Sequence, residues 1–225
     1  MSAINENLNR IISTLPSDGS VTLVAVSKFH PASAVAEAYA AGQRHFGESR
    51  AAELTSKAAE LPDDIVWHFI GHLQTNKVRP VVRVASMIHS IDSERLLRAV
   101  DAEAVKQQRR VRVLLQAHVA REETKFGFLP DELESLVTPQ LLESLCGVEV
   151  AGVMGMASNT DDLSRIEADF ASLRKIFDTL AAGPFAGDSR FNTLSMGMSH
   201  DYIAAIAHGS TMVRIGTDIF GQREY

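Results

Sequence analysis

Lys28 follows the apolar, β-branched run Val21–Val26 after a single serine, a setting in which an amine can do chemistry. An amine partly withdrawn from water holds its proton less tightly, and the neutral form attacks an aldehyde. The competing reading is a solvated lysine that closes a strand. A second group of polar residues lies near the other end of the chain. Ser195-Met196-Gly197-Met198-Ser199-His200-Asp201 leads into the apolar-periodic stretch Tyr202–His208, and Val213-Arg214-Ile215-Gly216-Thr217 follows. Ser199 is the expected N-cap, and a helix N-terminus offers unpaired N–H groups to an anion. Gly216 would let the backbone approach a phosphate closely, and Thr217 could add a hydroxyl. Separately these read as ordinary capping and an ordinary turn. Together with Lys28 at one mouth, they are what a phosphorylated aldehyde needs.

Arg214 alternates with Val213 and Ile215, so its side chain faces opposite to theirs. Facing inward, a guanidinium can only donate, and a pyridine nitrogen before it must stay unprotonated, which makes the ring a weak electron sink. Facing outward, it is a surface salt-bridge arginine. His68 and His72 resemble a helical i,i+4 metal pair, but in or beside a strand that separation is ~13 Å. No metal site is expected. Trp67 and Met154, Met156, Met196 and Met198 read as packing residues. Cys146, the one cysteine, can form no intramolecular disulfide and reads as a small apolar residue.

The elements that must position these residues alternate along the chain. Ile4, Leu8, Ile11, Ile12 and Leu15 recur at helical spacing, predicting an N-terminal helix over residues 1–15 that stops at Pro16. Strands are expected at Val21–Val26, His45–Gly47, Val66–Gly71, Met87–Ile91, Val111–Val119, Val148–Met154, Asn192–Met196 and Thr211–Ile215. Helical stretches separate them. The clearest is the stripe Leu163, Ile166, Phe170, Leu173, Phe177 and Leu180, preceded by the cap candidates Ser158, Asn159 and Thr160. Pro139 is expected to split the fifth helix in two. Apolar strands alternating with amphipathic helices indicate a parallel sheet covered by helices. Eight units favour a closed barrel, with an open doubly wound sheet as the alternative that periodicity leaves open. In a barrel the working residues sit at the C-terminal strand ends, with phosphate commonly after strands seven and eight. No linker divides residues 1–225, which predicts one domain.

The 225 residues carry a net charge of −6, which argues against nucleic-acid and anionic-membrane partners. No apolar run approaches the ~20 residues of a membrane helix, and the N-terminus lacks the pattern of a signal peptide. A cytoplasmic, monomeric protein is expected.

Val24-Ala25-Val26-Ser27-Lys28, Phe46-Gly47-Glu48, Trp67–Lys77, His89-Ser90-Ile91-Asp92-Ser93, Leu194–Asp201 and Arg214–Gly221 together resemble the pyridoxal phosphate homeostasis protein family. That group looks like the barrel domain of alanine racemase standing alone. The resemblance covers nearly the whole chain and implies a single (β/α)8 TIM barrel with an extra N-terminal helix packed on it. It implies pyridoxal 5′-phosphate as the cofactor, held as a Schiff base on Lys28, with Ser199, Gly216 and Thr217 around the phosphate and Arg214 facing the pyridine nitrogen. It implies a role in storing, buffering or handing over pyridoxal phosphate, with PLP-dependent apo-enzymes as partners and no catalytic turnover. Two positions depart from the family pattern. Ser49-Arg50 replaces Asn and an aromatic, and Gln116-Ala117-His118 replaces Gln-Val-Asn, so contacts carried by those asparagines do not transfer. Two other readings stand beside this one: an amino-acid racemase of weak activity using the same lysine, and a barrel enzyme acting on a sugar phosphate without a cofactor.

Overall fold

The structure, a computed structural model, describes residues 2–121 and 126–222. Its parallel strands follow chain order around a closed barrel: β1 (Thr22–Val26), β2 (His45–Glu48), β3 (Val66–Phe69), β4 (Met87–Ile91), β5 (Val111–Gln116), β6 (Val148–Met154), β7 (Thr193–Ser195) and β8 (Met212–Ile215). The barrel closes where β1 lies on β8, with Thr22 opposite Met212 and Ala25 opposite Ile215. The open sheet is thereby excluded.

Opposite faces of the strands serve two cores. Leu23, Ala25, Trp67, Phe69, Val213 and Ile215 belong to the large core beneath the helices, while Val24, Met87, Leu114, Ala151, Met154 and Met212 form a separate cluster inside the barrel. This two-sided burial is why the strands read as continuous apolar runs. The helices are α1 (Ala3–Ile12), α2 (Ala32–Ala40), α3 (Ala51–Glu60), α4 (Val78–Val84), α5 (Glu94–Lys106), α6 (Pro130–Leu136), α7 (Pro139–Ser144), α8 (Leu163–Ala182), α9 (Tyr202–Ala207) and α10 (Thr217–Phe220).

The N-terminal helix packs on the barrel, but it stops at Ile12, short of Pro16. Its buried Leu8 and Ile11 face the core, and the Asn7 amide donates to the Ile219 carbonyl of α10 at 3.2 Å. Pro139 does split the fifth helix: the chain breaks after Leu136 and restarts with Thr138 as cap, its hydroxyl accepting from Leu141 N–H. Of the stripe, α8 buries Ile166, Phe170, Leu173 and Leu180 and half-buries Phe177 against the core, where the neighbouring Ile176 is buried instead, while Leu163 is exposed in the first turn. The cap of α8 is Asp162, later than Ser158, Asn159 or Thr160. Ser158 is instead buried, its N–H given to Asp169 within α8 at 2.8 Å.

Candidate functional site

Lys28 lies just past β1, half-buried, and lines a cavity of about 240 Å³. Arg214, Ser199, Gly216 and Thr217 line the same cavity. The five positions singled out in the sequence, separated by nearly the length of the chain, meet at the C-terminal mouth of the barrel. Val26, His30, Ile70, Met156, Met198 and His200 complete the wall.

Arg214 points inward. It is buried, and its guanidinium donates from Nη1 to the Ser195 carbonyl at 2.8 Å and to Ser195 Oγ at 2.6 Å, and from Nη2 to the Gly155 carbonyl at 3.0 Å. The surface salt-bridge reading is therefore wrong. Burial pushes the guanidinium down to about 10, with Asp201 pulling the other way, so it stays charged at neutral pH. Three protein acceptors hold three of its five N–H groups.

Ser199 is at the cavity but is not the cap of α9. That role falls to Asp201, whose carboxylate accepts Met198 N–H at 2.6 Å and ties the loop back on itself. The loop depends on Gly197, whose φ is +97° and where a Cβ would sit 2.7 Å from Ala205 Cβ. A non-glycine residue is strained there twice over, by conformation and by contact. Gly216 caps α10, and a Cβ at that position would lie 3.1 Å from the Val26 carbonyl. Its bareness keeps the approach from β1 open.

Behind Lys28 stands a buried ion pair that the sequence did not announce. Lys57 Nζ of α3 donates to Glu48 Oε1 at 2.6 Å and to the Ser27 carbonyl at 2.8 Å, and the Ser27 hydroxyl donates to the same Glu48 oxygen at 2.6 Å. Burial raises the Glu48 carboxyl above its ordinary range, while hydrogen bonds from Lys57 and Ser27 oppose that rise. These contacts fix the peptide that carries Lys28. Phe29 then turns with a φ of +68°, its N–H held by Glu53 at 2.8 Å.

Met154 and Met196 are core residues as expected, but Met156 and Met198 line the cavity, so the packing assignment fails for that pair. They stand two residues beyond the others, past the strand ends, where the mouth rather than the core receives a side chain. His72 pairs with Asp92 at 3.0 Å and stacks on Phe126, while His68 points into the barrel. No group of three or more possible metal ligands occurs among the described residues. The two departures lie beside this mouth. Arg50 stacks over Phe29 at 4.5 Å, and His118 N–H bonds the Phe128 carbonyl at 2.8 Å.

The profile of the family described as "Alanine racemase, N-terminal domain" matches residues 1–224. Pyridoxal phosphate homeostasis proteins are similar along the full length: that of Pseudomonas aeruginosa is 37% identical, covering 100% of this chain and 98% of its own. The Schizosaccharomyces pombe protein is also 37% identical, over 99% of this chain and 94% of its own. This chain belongs to the pyridoxal phosphate homeostasis protein family. PipY of Synechococcus elongatus, solved with PLP bound, is similar to this family member with a TM-score of 0.86 and 41% identity, covering 97% of this chain and 100% of that one. Alanine racemase from Enterococcus faecalis (E. faecalis) shares the fold at 18% identity and a TM-score of 0.72, with this family member spanning 58% of its length. No helix among the described residues is long and apolar enough to cross a membrane.

Proposed function

We infer that this protein binds pyridoxal 5′-phosphate, attached as a Schiff base to Lys28, and serves intracellular homeostasis of that cofactor without catalytic turnover. The observation that carries the reading is the shared cavity: an amine, a buried guanidinium and the Ser199, Gly216 and Thr217 cup line one space. These residues fit the group. Lys28 supplies the amine for an aldehyde, Ser199 and Thr217 supply hydroxyls for phosphate oxygens, and bare Gly216 leaves room beside Val26. The bound PLP reported for PipY, at 41% identity, supports the same assignment.

When bound, pyridoxal phosphate supplies an electron sink whose strength depends on a protonated ring nitrogen. Arg214 works against that. It keeps its own proton at neutral pH and can only donate, so a ring nitrogen facing it stays unprotonated. Holding the cofactor is favoured over carbanion chemistry.

A second reading, weak amino-acid racemisation, gains one observation: His30 and His200 also line the cavity and offer imidazoles besides Lys28. Racemisation needs proton-transfer groups on both faces of the substrate carbon. Incubating the loaded protein with single amino acids and following chirality separates the two. The homeostasis reading expects no sustained inversion; inversion that is lost in Lys28→Ala and in His200→Ala would establish an enzyme. Binding itself is read from the visible absorbance of the purified protein titrated with pyridoxal phosphate, which Lys28→Ala should abolish.

A further inference from the structure

An unbroken column of hydrogen bonds runs from Arg214 down the inside of the barrel to its opposite end. Arg214 Nη1 donates to Ser195 Oγ at 2.6 Å, and Ser195 Oγ lies 3.2 Å from His89 Nδ1. His89 Nε2 is 2.9 Å from His68 Nδ1, and His68 Nε2 is 3.0 Å from His45 Nδ1. β2, β3 and β4 contribute one histidine each. His45 ends the column, half-buried, in a second cavity of about 320 Å³ lined also by Ser20, Arg112, Asn192 and Thr211. The cofactor reading uses none of these histidines.

The direction of the column is decided at its top. A guanidinium only donates, so the Ser195 oxygen accepts there. Ser195 is fully buried, and among the described residues its hydroxyl hydrogen has His89 Nδ1 as its acceptor. His89 therefore carries its proton on Nε2 and gives it to His68 Nδ1. His68 gives its own Nε2 proton to His45, whose Nε2–H is left for the cavity. The opposite order strands the hydroxyl hydrogen in a dry interior, at about 1–3 kcal/mol. Charge does not disturb this order. Burial, then His45 and Arg112, hold His68 down to about 3; burial, then His68 and Arg214, hold His89 well below its ordinary value. Burial also lowers His45. The charged groups facing the column are Arg112 from β5, itself 3.3 Å from Glu149, and Arg214 from β8.

The geometry points to Ser195, His89, His68 and His45 as a positioning relay for Arg214, which fixes the guanidinium hydrogens held by the protein. Its consequence for the cofactor rests on the function proposed above. While His89 takes the Ser195 hydroxyl hydrogen, the Ser195 oxygen is left to the arginine, both Nη1 hydrogens are occupied and the guanidinium plane is set. A break in the column removes the acceptor of the His89 Nε2 proton, so His89 can carry its proton on Nδ1 instead and compete with the arginine for the Ser195 oxygen.

Two readouts on the full chain without cofactor test the relay itself. In protein labelled with ¹⁵N at histidine, long-range proton–nitrogen correlation at pH 7 should show His45, His68 and His89 neutral with the proton on Nε2. A proton on Nδ1 of His68 or His89 overturns the relay. His68→Leu removes the link, whereas His68→Gln keeps one acceptor and one donor. The Arg214 side-chain nitrogen resonances should move in His68→Leu and stay near wild type in His68→Gln. If His68→Leu does not fold, His45→Ala at the open end gives the same comparison. Unmoved Arg214 resonances in whichever of these folds overturn the relay. With pyridoxal phosphate added, the folded broken-column variant should shift the visible band and weaken binding by a few-fold to about tenfold, the worth of one hydrogen bond. His68→Gln should restore both. Wild-type protein that binds no pyridoxal phosphate would refute the cofactor reading alone, since the tautomer and arginine readouts do not need it.

Discussion

Lys57 and Glu48 sit at 7% and 0% side-chain exposure behind the peptide that carries Lys28, and what each does depends on the other. Removing one partner of a buried pair leaves an uncompensated charge, so Lys57→Met should destabilise the fold by about 3–5 kcal/mol in urea denaturation. Replacing both, as Lys57→Met with Glu48→Leu, should recover most of that loss. A single variant that costs under about 1 kcal/mol would show the pair to be solvated. At this scale Lys28, Arg214, Ser199, Gly216 and Thr217 were legible because strand ends of a barrel converge on one mouth whatever their distance in sequence. Met156, Met198, Lys57 and the histidine column were not. Which side chains meet across β2, β3 and β4 depends on register, a non-local property that no single run of residues carries. The one available hint was a histidine on each of three successive strands.

Among the elements, the loop between β7 and α9 depends on one residue, Gly197. Gly197→Ala must place a Cβ 2.7 Å from Ala205 Cβ and 2.9 Å from Tyr202 Cα while holding a φ of +97°. A loss of about 2–4 kcal/mol is expected from the strain and the overpacking together. Because Arg214 N–H bonds the Gly197 carbonyl at 3.0 Å and Ser199 follows in the same loop, binding of pyridoxal phosphate should weaken with it. Thermal unfolding and a binding titration of Gly197→Ala check both, and unchanged affinity in the folded variant would detach the loop from the site. The strands were legible as apolar runs, and the break at Pro139 followed from its ring. The strand ends were not: β3 stops at Phe69 rather than Gly71 and β5 at Gln116 rather than Val119. At the mouth the backbone leaves the barrel to bond its own loops, as His118 does with Phe128. Caps moved for a related reason. Asp201 and Asp162 each stand nearer the first helical turn than the expected caps, Ser199 for α9 and Ser158, Asn159 or Thr160 for α8.

For the molecule as a whole, a barrel filled partly with neutral histidines has a defined weakness to acid. His68 is held at about 3 in the fold and titrates near 6.5 in the unfolded chain. Between those values the unfolded chain binds a proton that the folded protein refuses. The stability is therefore complete above about pH 6.5 and is lost as pH falls toward 3, by about 1.4 kcal/mol per pH unit for each such histidine. Urea denaturation at pH 7.5, 6 and 5 should show this decline, and His68→Gln should lessen its slope by one proton's worth. An unchanged slope would mean that His68 is not held neutral by burial. Closure of the barrel was favoured by the number of βα units but established only by the pairing of β1 with β8, which brings the two ends of the site together.

The meeting of Lys28 with the Arg214 and Ser199 side of the mouth is tested most directly by mass spectrometry. The protein is loaded with pyridoxal phosphate, reduced with borohydride and mapped by peptide. The expected result is a single phosphopyridoxyl addition on the peptide containing Lys28, absent from Lys28→Ala. Reduction that leaves Lys28 unmodified, or that spreads the label over exposed lysines, would contradict the account.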